Sequence, residues 1–245
     1  ALSQTRLPDE IIVADDGSTR ETADVIQYVN RQSPVQVKHS WRPDDGFRAA
    51  ESRNRALAMA KGDYIVLIDG DMLLDASFIA DHLKLALKGR LVQGSRVILA
   101  EARTQEILAS DQLPNLSVFD SGIEKRLSAL RCRCLSALVG KNGSQIHRGI
   151  KTCNMSFFRE DALAVNGFNN WFVGWGREDS EFVARCYHNG MKRHNLKFAG
   201  IAYHLWHHEA ERDSLPQNDA LLERTLETQQ IRCESGVNMF LKENS

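Results

Sequence analysis

Residues 64–74 have the sequence YIVLIDGDMLL, and this stretch decides the fold. Five apolar residues run without a polar interruption and then stop at an acidic pair, Asp69 and Asp71. A short apolar run of this kind predicts a strand that is buried on both faces, as in a parallel sheet between two layers of helices. We therefore expect an α/β protein.

The two acids follow the carboxyl end of this predicted strand, which is where ligands of open α/β sheets bind. Gly70, between Asp69 and Asp71, leaves room for another group to approach the backbone. Two carboxylates one residue apart repel each other unless a positive charge lies between them, and a divalent cation carrying a phosphate meets this need. For this motif alone, a turn with two solvated aspartates is an equally good interpretation.

Composition limits the classes of protein to consider. The 245 residues are 42% hydrophobic and 26% charged, which suits one large α/β domain or two small ones. The formal net charge of −1 gives no general affinity for polyanions, so we expect no nucleic-acid partner. No apolar run approaches the roughly 18 residues of a membrane span, and we expect no signal peptide. Five cysteines without a framework spacing indicate reduced thiols and a cytoplasmic location.

A second predicted strand also ends in acids. The strand at residues 10–14 runs into Asp15 and Asp16, followed by Ser18 and a helix predicted at residues 20–32. An isolated Asp-Asp-Gly-Ser sequence is only a turn signal. Together with the Asp-Gly-Asp motif, it indicates one site built from two strand ends.

The helix predicted from Phe47 onwards carries an unusual number of cations, Arg48, Arg53 and Arg55. Guanidinium groups suit phosphate and carboxylate oxygens equally well. These arginines either face a ligand or pair with Glu51 and nearby acids on a solvated face. We expect the second arrangement for at least one of them.

Residues 167–182, with the sequence GFNNWFVGWGREDSEF, combine an aromatic, glycine-rich loop with three acids that open a helix. Acids in a first helical turn complement the helix dipole, which explains them without a ligand. A sugar site has similar requirements, because the Trp175 ring can stack on a pyranose while Glu178 and Asp179 accept hydroxyl protons.

Histidines cluster after a strand predicted at residues 196–203. His204, His207 and His208 fall within five residues of one another. Imidazole nitrogens are common metal ligands. Alongside the Asp-Gly-Asp motif, this cluster favours a metal site.

An acid-free run from Lys125 to Lys151 carries seven cations interleaved with apolar residues. A basic amphipathic helix of this type can lie on an anionic membrane surface. A helix packed on the domain with a solvated basic face is at least as good an interpretation. Residues 140–149 are expected to form a flexible loop.

Six segments in order resemble the inverting family 2 glycosyltransferases of the GT-A fold. The resemblance is to the subgroup whose C-terminal half is similar to β-1,4-galactosyltransferases and bacterial chondroitin polymerase. It covers roughly residues 8–210, and six motifs in order are a specific signal although no single one is decisive. The segments are VADDGS (13–18), GFRAA (46–50) with RN (53–54), DGD (69–71), NMS (154–156), GWGRED (174–179) and YH (203–204).

The resemblance implies one GT-A domain over residues 1–245, a Rossmann-like nucleotide-diphospho-sugar transferase with a mixed, mostly parallel sheet between helices. Its expected parts are a nucleotide-sugar-binding half (1–100), a variable basic insertion (101–151), an acceptor and catalytic half (152–210) and a C-terminal helical tail (211–245). The family begins with an apolar strand that touches the nucleotide and would precede Ala1. We expect the natural protein to carry that strand upstream of Ala1.

The resemblance also implies roles for individual residues. Asp71 is expected to bind the metal directly, with His204 completing the metal shell and His207 in reserve. Glu178 is expected to bind the acceptor and Asp179 to act as the base.

A larger set is implied to bind the donor. Within it, the acids of the first motif hold the nucleotide base and ribose. The full set is Asp15, Asp16, Arg48, Arg53, Asn54, Asp69, Asn154 and Trp175.

The implied activity is a metal-dependent hexosyl transfer with inversion, assisted by Mn²⁺ or Mg²⁺. The donor is expected to be a nucleoside diphosphate sugar, with UDP as the nucleotide, and the acceptor a saccharide or lipid-linked saccharide. The implied setting is the synthesis of bacterial cell-surface polysaccharide or lipopolysaccharide, in the cytoplasm or peripherally on the inner membrane.

Two other functions are weaker interpretations. A catalytically inactive GT-A domain could act as a sugar- or partner-binding module, but intact Asp71, Asp179 and His204 argue against it. A nucleotidyltransferase would not need the Trp-Gly-Arg-Glu-Asp loop.

Overall fold

The structure is a computed structural model that describes residues 1–110, 112–139, 144–145, 147, 149–208 and 211–241. The strands are β1 (Glu10–Asp15), β2 (Gln36–Trp41), β3 (Tyr64–Ile68), β4 (Met72–Leu74), β5 (Arg90–Gly94), β6 (Arg96–Leu99), β7 (Ile123–Glu124), β8 (Asn154–Phe158), β9 (Lys192–Leu196) and β10 (Ala202–His204). The helices are α1 (Arg20–Gln32), α2 (Ala49–Met59), α3 (Phe78–Leu83), α4 (Glu101–Leu108), α5 (Arg133–Val139), α6 (Arg159–Ala164), α7 (Glu178–His188) and α8 (Leu215–Glu227).

The strands form three sheets, with the orders β1-β2, β4-β10-β6-β7 and β3-β8-β5-β9. Helices connect and flank them, so the predicted α/β class with a mixed sheet is confirmed. Three described strand pairings are parallel and four are antiparallel, and the parallel ladders contain slightly more residue pairs. Short strands returning from the second half of the chain, β8 and β10, account for most of the antiparallel pairs.

Strand β3 differs from the prediction in its surroundings. It pairs antiparallel with β8, which places Ile68 opposite Asn154. Its apolar residues are half-buried, and 39% of Ile68 is exposed, so the expected burial on both faces is wrong. The cause is that, among the described strands, only β8 pairs with β3.

Two long predicted strands are each divided in the structure. The strand expected at residues 91–99 breaks at Ser95 into β5 and β6, and the one expected at 196–203 is replaced by β9 and β10. The side chain of Asn154 explains both breaks, because its Nδ2 donates to the carbonyls of Ser95 and Gly200, each at 2.8 Å. Those two carbonyls therefore accept hydrogen bonds from a side chain and not from the backbone of a neighbouring strand.

The basic run from Lys125 is not one helix. It forms a 3₁₀ turn at Arg126–Ala129 and then the short helix α5. Lys125 has a left-handed backbone (φ 56°), which ends any regular structure there. The predicted loop at residues 140–149 lies largely outside the described residues. None of the described helices is long and apolar enough to cross a membrane.

The main core lies around α7 and fixes the loop before it. Phe157, Phe168 and Phe182 are almost fully buried there, and each such ring contributes roughly 1.5–3 kcal/mol by leaving water. Arg185 is buried among them and pairs with Glu181 at 2.8 Å. Its guanidinium also donates to the carbonyls of Val165 and Gly167, so the aromatic loop that follows is anchored to α7.

Candidate active site

Strand pairing brings one aspartate and two histidines together at the end of β10. Because His204 lies opposite Met72 in an antiparallel pair, Asp71 comes next to it. The Asp71 Oδ2 atom is 3.2 Å from His204 Nε2 and 3.1 Å from His207 Nε2. The prediction treated His207 as a reserve for His204, but both histidines reach the same carboxylate, so both can serve as ligands.

This cluster fits a divalent cation. One oxygen and two nitrogens lie within 4.8 Å of one another, and Asp71 Oδ1 is buried without a hydrogen-bond partner in the described structure. A buried carboxylate oxygen left unpaired is costly unless a ligand uses it. Burial opposes ionisation of Asp71, but the hydrogen bond and charge of His204 outweigh burial and hold the pKa of Asp71 below its usual value.

Arg53 links the metal-ligand side of the site to the acids of α7. Its guanidinium lies 2.9 Å from Glu178 Oε1 and 3.6 Å from Asp69 Oδ1. Burial raises the pKa of Asp69, the charge of Arg53 lowers it, and the nearby charge of Asp71 raises it further. Asp69 therefore lies between the predicted metal ligands and the predicted acceptor acids.

Asp179 has the electrostatic environment of a proton acceptor. Its Oδ1 accepts hydrogen bonds from the Ser180 backbone at 2.7 Å and the Ser180 hydroxyl at 3.3 Å. Burial, together with the neighbouring charge of Glu178, raises the pKa of Asp179 to about 6, although Arg53 opposes this. A carboxylate with a pKa near the working pH suits general-base catalysis.

The aromatic loop before α7 is held in a defined shape. The Gly174 backbone donates to the carbonyl of Phe47 at 2.8 Å. Gly174 has φ +73°, and a Cβ there would collide with the Ser214 hydroxyl, so glycine is required. The Trp175 ring is 40% exposed, with the guanidinium of Arg212 at 5.1 Å from its centroid.

The two acids after β1 form a separate network. Asp15 accepts hydrogen bonds from the Ser18 backbone at 2.8 Å, from the Ser18 hydroxyl and from the His39 ring at 2.6 Å. The hydrogen bonds of Ser18 and His39 outweigh burial, so the pKa of Asp15 is lowered.

Asp16 is held by the loop after β2. It accepts from the Arg42 side chain at 2.8 Å and from the backbone of Arg48 at 2.6 Å. The Arg48 guanidinium instead pairs with Asp45 at 2.7 Å. Arg42 is almost fully buried, and nothing in the sequence pattern distinguished it from a loop arginine.

Two residues predicted to bind the donor are engaged in hydrogen bonds within the protein. Asn54 and Asn154 are both fully buried. The Asn54 amide bonds both backbone groups of Phe168, at 2.6 and 2.8 Å, and Asn170. Asn154 bonds two carbonyls and the ring of His82 at 2.8 Å. Both residues position the loops of the site through these hydrogen bonds, and direct nucleotide contact by either stays a prediction.

A buried polar network below the site was missed by the sequence analysis. The His82 ring bonds Ser156 Oγ at 2.6 Å, and Ser156 also bonds the Tyr64 hydroxyl at 2.8 Å. Burial lowers the pKa of His82 to about 4, so the ring is neutral at ordinary pH. A lone histidine on a helix carries no sequence signal for such a role.

The family model of glycosyl transferase family 2 matches residues 1–135, which is more than half of the 245 residues. The chain belongs to glycosyltransferase family 2. A second model, described as the N-terminal domain of galactosyltransferase, matches residues 142–208. The two matches confirm the resemblance found in the sequence, including its division between the two halves of the chain. The expectation that this is a glycosyltransferase is confirmed at the level of the family.

The curated relatives of this family 2 chain include polysaccharide synthases. It is 28% identical over 206 residues to a hyaluronan synthase from Pasteurella multocida, covering 76% of this chain and 20% of the relative. It is 24% identical over 212 residues to a chondroitin synthase from Escherichia coli, covering 80% of this chain and 30% of the relative. The chain thus spans about a fifth to a third of the length of these two relatives.

Solved structures share the fold of this family 2 chain. The structure of S. aureus TarS 1–349 in complex with UDP matches with a TM-score of 0.60 at 13% identity, covering 99% of this chain and 64% of that one. GalNAc-T7 with UDP, GalNAc and Mn²⁺ matches with a TM-score of 0.59 at 14% identity, covering 97% and 51%. The predicted GT-A fold is confirmed.

Proposed function

We propose that this domain transfers a sugar from a UDP-linked donor to a carbohydrate hydroxyl, with inversion at the anomeric carbon. The observation that carries the proposal is the juxtaposition of two groups of side chains through Asp69. The charges of Asp71 and His204 act on Asp69 from the predicted metal-ligand side, and those of Arg53 and Glu178 act from the acceptor side. A metal-bound diphosphate and an acceptor base must lie this close for a direct displacement.

The donor assignment is supported by chemistry and by the related structures. GT-A glycosyltransferases commonly use a divalent metal, and two imidazoles with one carboxylate suit Mn²⁺ better than Mg²⁺, which prefers oxygen ligands. Asp71, His204 and His207 would hold the ion, which when bound neutralises charge on the leaving diphosphate. The similar fold of S. aureus TarS 1–349 has been solved in complex with UDP and with UDP-GlcNAc.

The chain's own residues supply the rest of the reaction. Asp179 accepts the proton of the acceptor hydroxyl as that oxygen attacks the anomeric carbon. Arg53 holds Glu178 in place at 2.9 Å, so that Glu178 can accept a hydrogen bond from a neighbouring acceptor hydroxyl. Trp175 provides an exposed ring for the face of a sugar.

The names of the relatives support the proposed acceptor class. Two of them are named hyaluronan synthase and chondroitin synthase. A third relative is an Escherichia coli glucosyltransferase whose name gives α-D-GlcNAc-diphosphoundecaprenol as its acceptor. It is 41% identical over 71 residues, which cover 29% of this chain. We therefore assign this domain to the assembly of bacterial surface polysaccharide or lipopolysaccharide on a saccharide or lipid-linked saccharide.

A screen of nucleotide sugars tests the activity. The protein is incubated with UDP-, GDP- and TDP-linked sugars with Mn²⁺, Mg²⁺ or EDTA, and release of the nucleotide is measured. We expect release from one or more UDP-sugars with Mn²⁺, little with EDTA, and none with the Asp71→Asn variant. Metal-independent release, or release from a GDP-sugar alone, would refute the proposed donor chemistry.

A lipid-linked acceptor also calls for a membrane surface. The insertion exposes large apolar side chains beside its cations, with exposed fractions of 72% for Leu113, 89% for Phe119, 78% for Leu127 and 64% for Leu138. Exposed apolar groups with flanking Lys and Arg favour an anionic bilayer. We propose that this insertion rests on the cytoplasmic face of the inner membrane.

Vesicle flotation tests the membrane contact. The protein is mixed with vesicles of phosphatidylglycerol and phosphatidylethanolamine at low salt, where the attraction is strongest. We expect the parent protein to float and the double variant Phe119→Ser, Leu127→Ser to remain in the dense fraction. The matched control is Val25→Ser, which removes an apolar group that is 60% exposed on α1. No flotation of the parent would leave the basic segment as a packed, solvated face.

A further inference from the structure

Two cations next to the site, Arg96 and Lys151, form no ion pair with any acid among the described residues. Arg96 opens β6, and Lys151 lies three residues before β8. The Arg96 Nε atom is buried and has no hydrogen-bond partner among the described residues. No ion pair of Lys151 with a described residue is formed either. Most other half-buried cations of the chain, such as Arg53 and Arg131, do have acidic partners.

The two charges are held together against their repulsion. Burial lowers the pKa of Lys151, and the positive charges of Arg96 and Lys125 lower it further. Like charges gathered in a half-buried place destabilise the free protein. An anion bound between them removes both the repulsion and the unpaired donor at once.

Strand pairing places both cations near the end of β3 that precedes Asp69. Asn154, three residues after Lys151, lies opposite Ile68, and its side chain donates to the carbonyl of Ser95, the residue before Arg96. The thiol of Cys153 lies within electrostatic reach of Asp69 and Asp71 and also of Arg96 and Lys151. Lys151 in addition interacts with Asp179, the carboxylate assigned as the base. A group bound by Lys151 therefore lies near the attacking hydroxyl.

We propose that Arg96 and Lys151 form an anion subsite that binds a phosphate or carboxylate group carried by the acceptor. This inference rests on the proposed function, because it takes Asp179 as the base and the Asp71 cluster as the place of the donor diphosphate. The donor diphosphate is the other source of the same chemistry. The charge of Asp179 acts on Lys151, and this favours the acceptor.

The test separates the two sources by measuring donor and acceptor binding independently. Calorimetry measures UDP with Mn²⁺, and then, with UDP saturating, methyl β-glucoside, methyl β-glucuronide and methyl β-glucoside 6-phosphate. The variants are Arg96→Gln and Lys151→Gln. The matched control is Lys192→Gln, which removes an exposed cation at the far end of β9, opposite Arg90.

We expect at least one of the anionic glycosides to bind the parent protein about 10-fold tighter than the neutral one, as for a charge-assisted contact. Either variant should abolish that preference and leave UDP affinity and the control unchanged. Thermal midpoints should be unchanged or higher in the variants, because repulsion is relieved, whereas a structural role would lower them.

Two results would overturn the inference. Weaker UDP binding in the variants, with the glycoside preference intact, would assign the cations to the donor. Equal binding of all three glycosides by the parent, with UDP unaffected in the variants, would exclude an anion subsite. If the parent failed to bind UDP, the proposed function would be refuted. Titration of the three glycosides without UDP would then still show whether Arg96 and Lys151 bind an anionic group.

Discussion

Arg53 on α2 holds Glu178 at the start of α7 by a 2.9 Å ion pair, and this contact joins the two halves of the site. Residue 53 lies in the half matched by the family 2 model, and residue 178 in the half matched by the galactosyltransferase model. The proposed donor and acceptor sides of the site therefore share one guanidinium.

We predict that Arg53→Gln lowers transfer by about 10- to 100-fold, as for loss of a hydrogen bond between charged groups. The variant leaves Glu178 and Asp69 without their cation, and it also raises the pKa of Asp179, which Arg53 lowers in the parent. The pH at which the transfer rate reaches half its maximum should therefore be higher in the variant. The control is Arg55→Gln on the same helix, where the lost partner is Glu51 at 3.1 Å. Equal effects of the two variants would contradict a special role for Arg53.

The two histidines should contribute unequally to metal affinity. The side chain of His204 is 12% exposed and that of His207 is 54% exposed, so His204 is the better ordered ligand before metal binds. We expect His204→Ala to weaken Mn²⁺ binding more than His207→Ala, with both weaker than the parent. His208→Ala is the control, because the described structure places its ring against Trp206. Electron paramagnetic resonance, recorded during titration with Mn²⁺, measures the Mn²⁺ affinity of all three variants. Unchanged Mn²⁺ affinity of His204→Ala would exclude His204 as a metal ligand.

Asp179→Asn should keep donor binding and lose transfer. The amide is nearly isosteric with the carboxylate and cannot accept the proton, and general-base catalysis typically contributes about 10²–10⁴-fold. Glu178→Gln should mainly weaken acceptor binding. Single-turnover transfer and UDP affinity, measured on each variant, separate the two effects. Transfer by Asp179→Asn near the parent rate would disprove the base assignment, and Glu181 could not replace it, because it is fully buried and paired with Arg185.

The pH dependence has a defined direction. With its pKa raised to about 6, Asp179 is active only when ionised, so kcat/KM should rise as pH increases through about 6 and then level off. A raised carboxyl pKa also means that ionisation costs stability as pH rises from the ordinary aspartate pKa of 3.8 to about 6. Asp179→Asn should therefore be more stable than the parent at pH 8 and equal to it below pH 4. Thermal unfolding at both pH values measures this, and lower stability at pH 8 would contradict it.

Much of the site was accessible from the sequence because strand ends meet at one edge of a sheet. The Asp-Gly-Asp motif, the histidines after β10 and the acids opening α7 were all recognised from their place after predicted elements. The structure brings Asp71 next to both histidines, through pairing of β4 with β10 that no local pattern encodes.

The errors share a physical cause, which is that tertiary hydrogen bonds override local pattern. The amide of Asn154 donates to the carbonyls of Ser95 and Gly200, and these hydrogen bonds lie where two predicted strands are split. Burial of Arg42 against Asp16 likewise depends on partners far along the chain. Local periodicity contains no information on such contacts.

The central claim is that Asp71 and the two histidines hold a divalent ion that carries the donor diphosphate. Calorimetric titration of UDP with and without Mn²⁺, on the parent and on Asp71→Asn, tests it most directly. The account predicts binding to the parent that depends on Mn²⁺ and a loss of that dependence in the variant, with the fold retained by circular dichroism. Equal UDP affinity of the parent with Mn²⁺ and with EDTA, or unchanged Mn²⁺-dependent binding by Asp71→Asn, would contradict it.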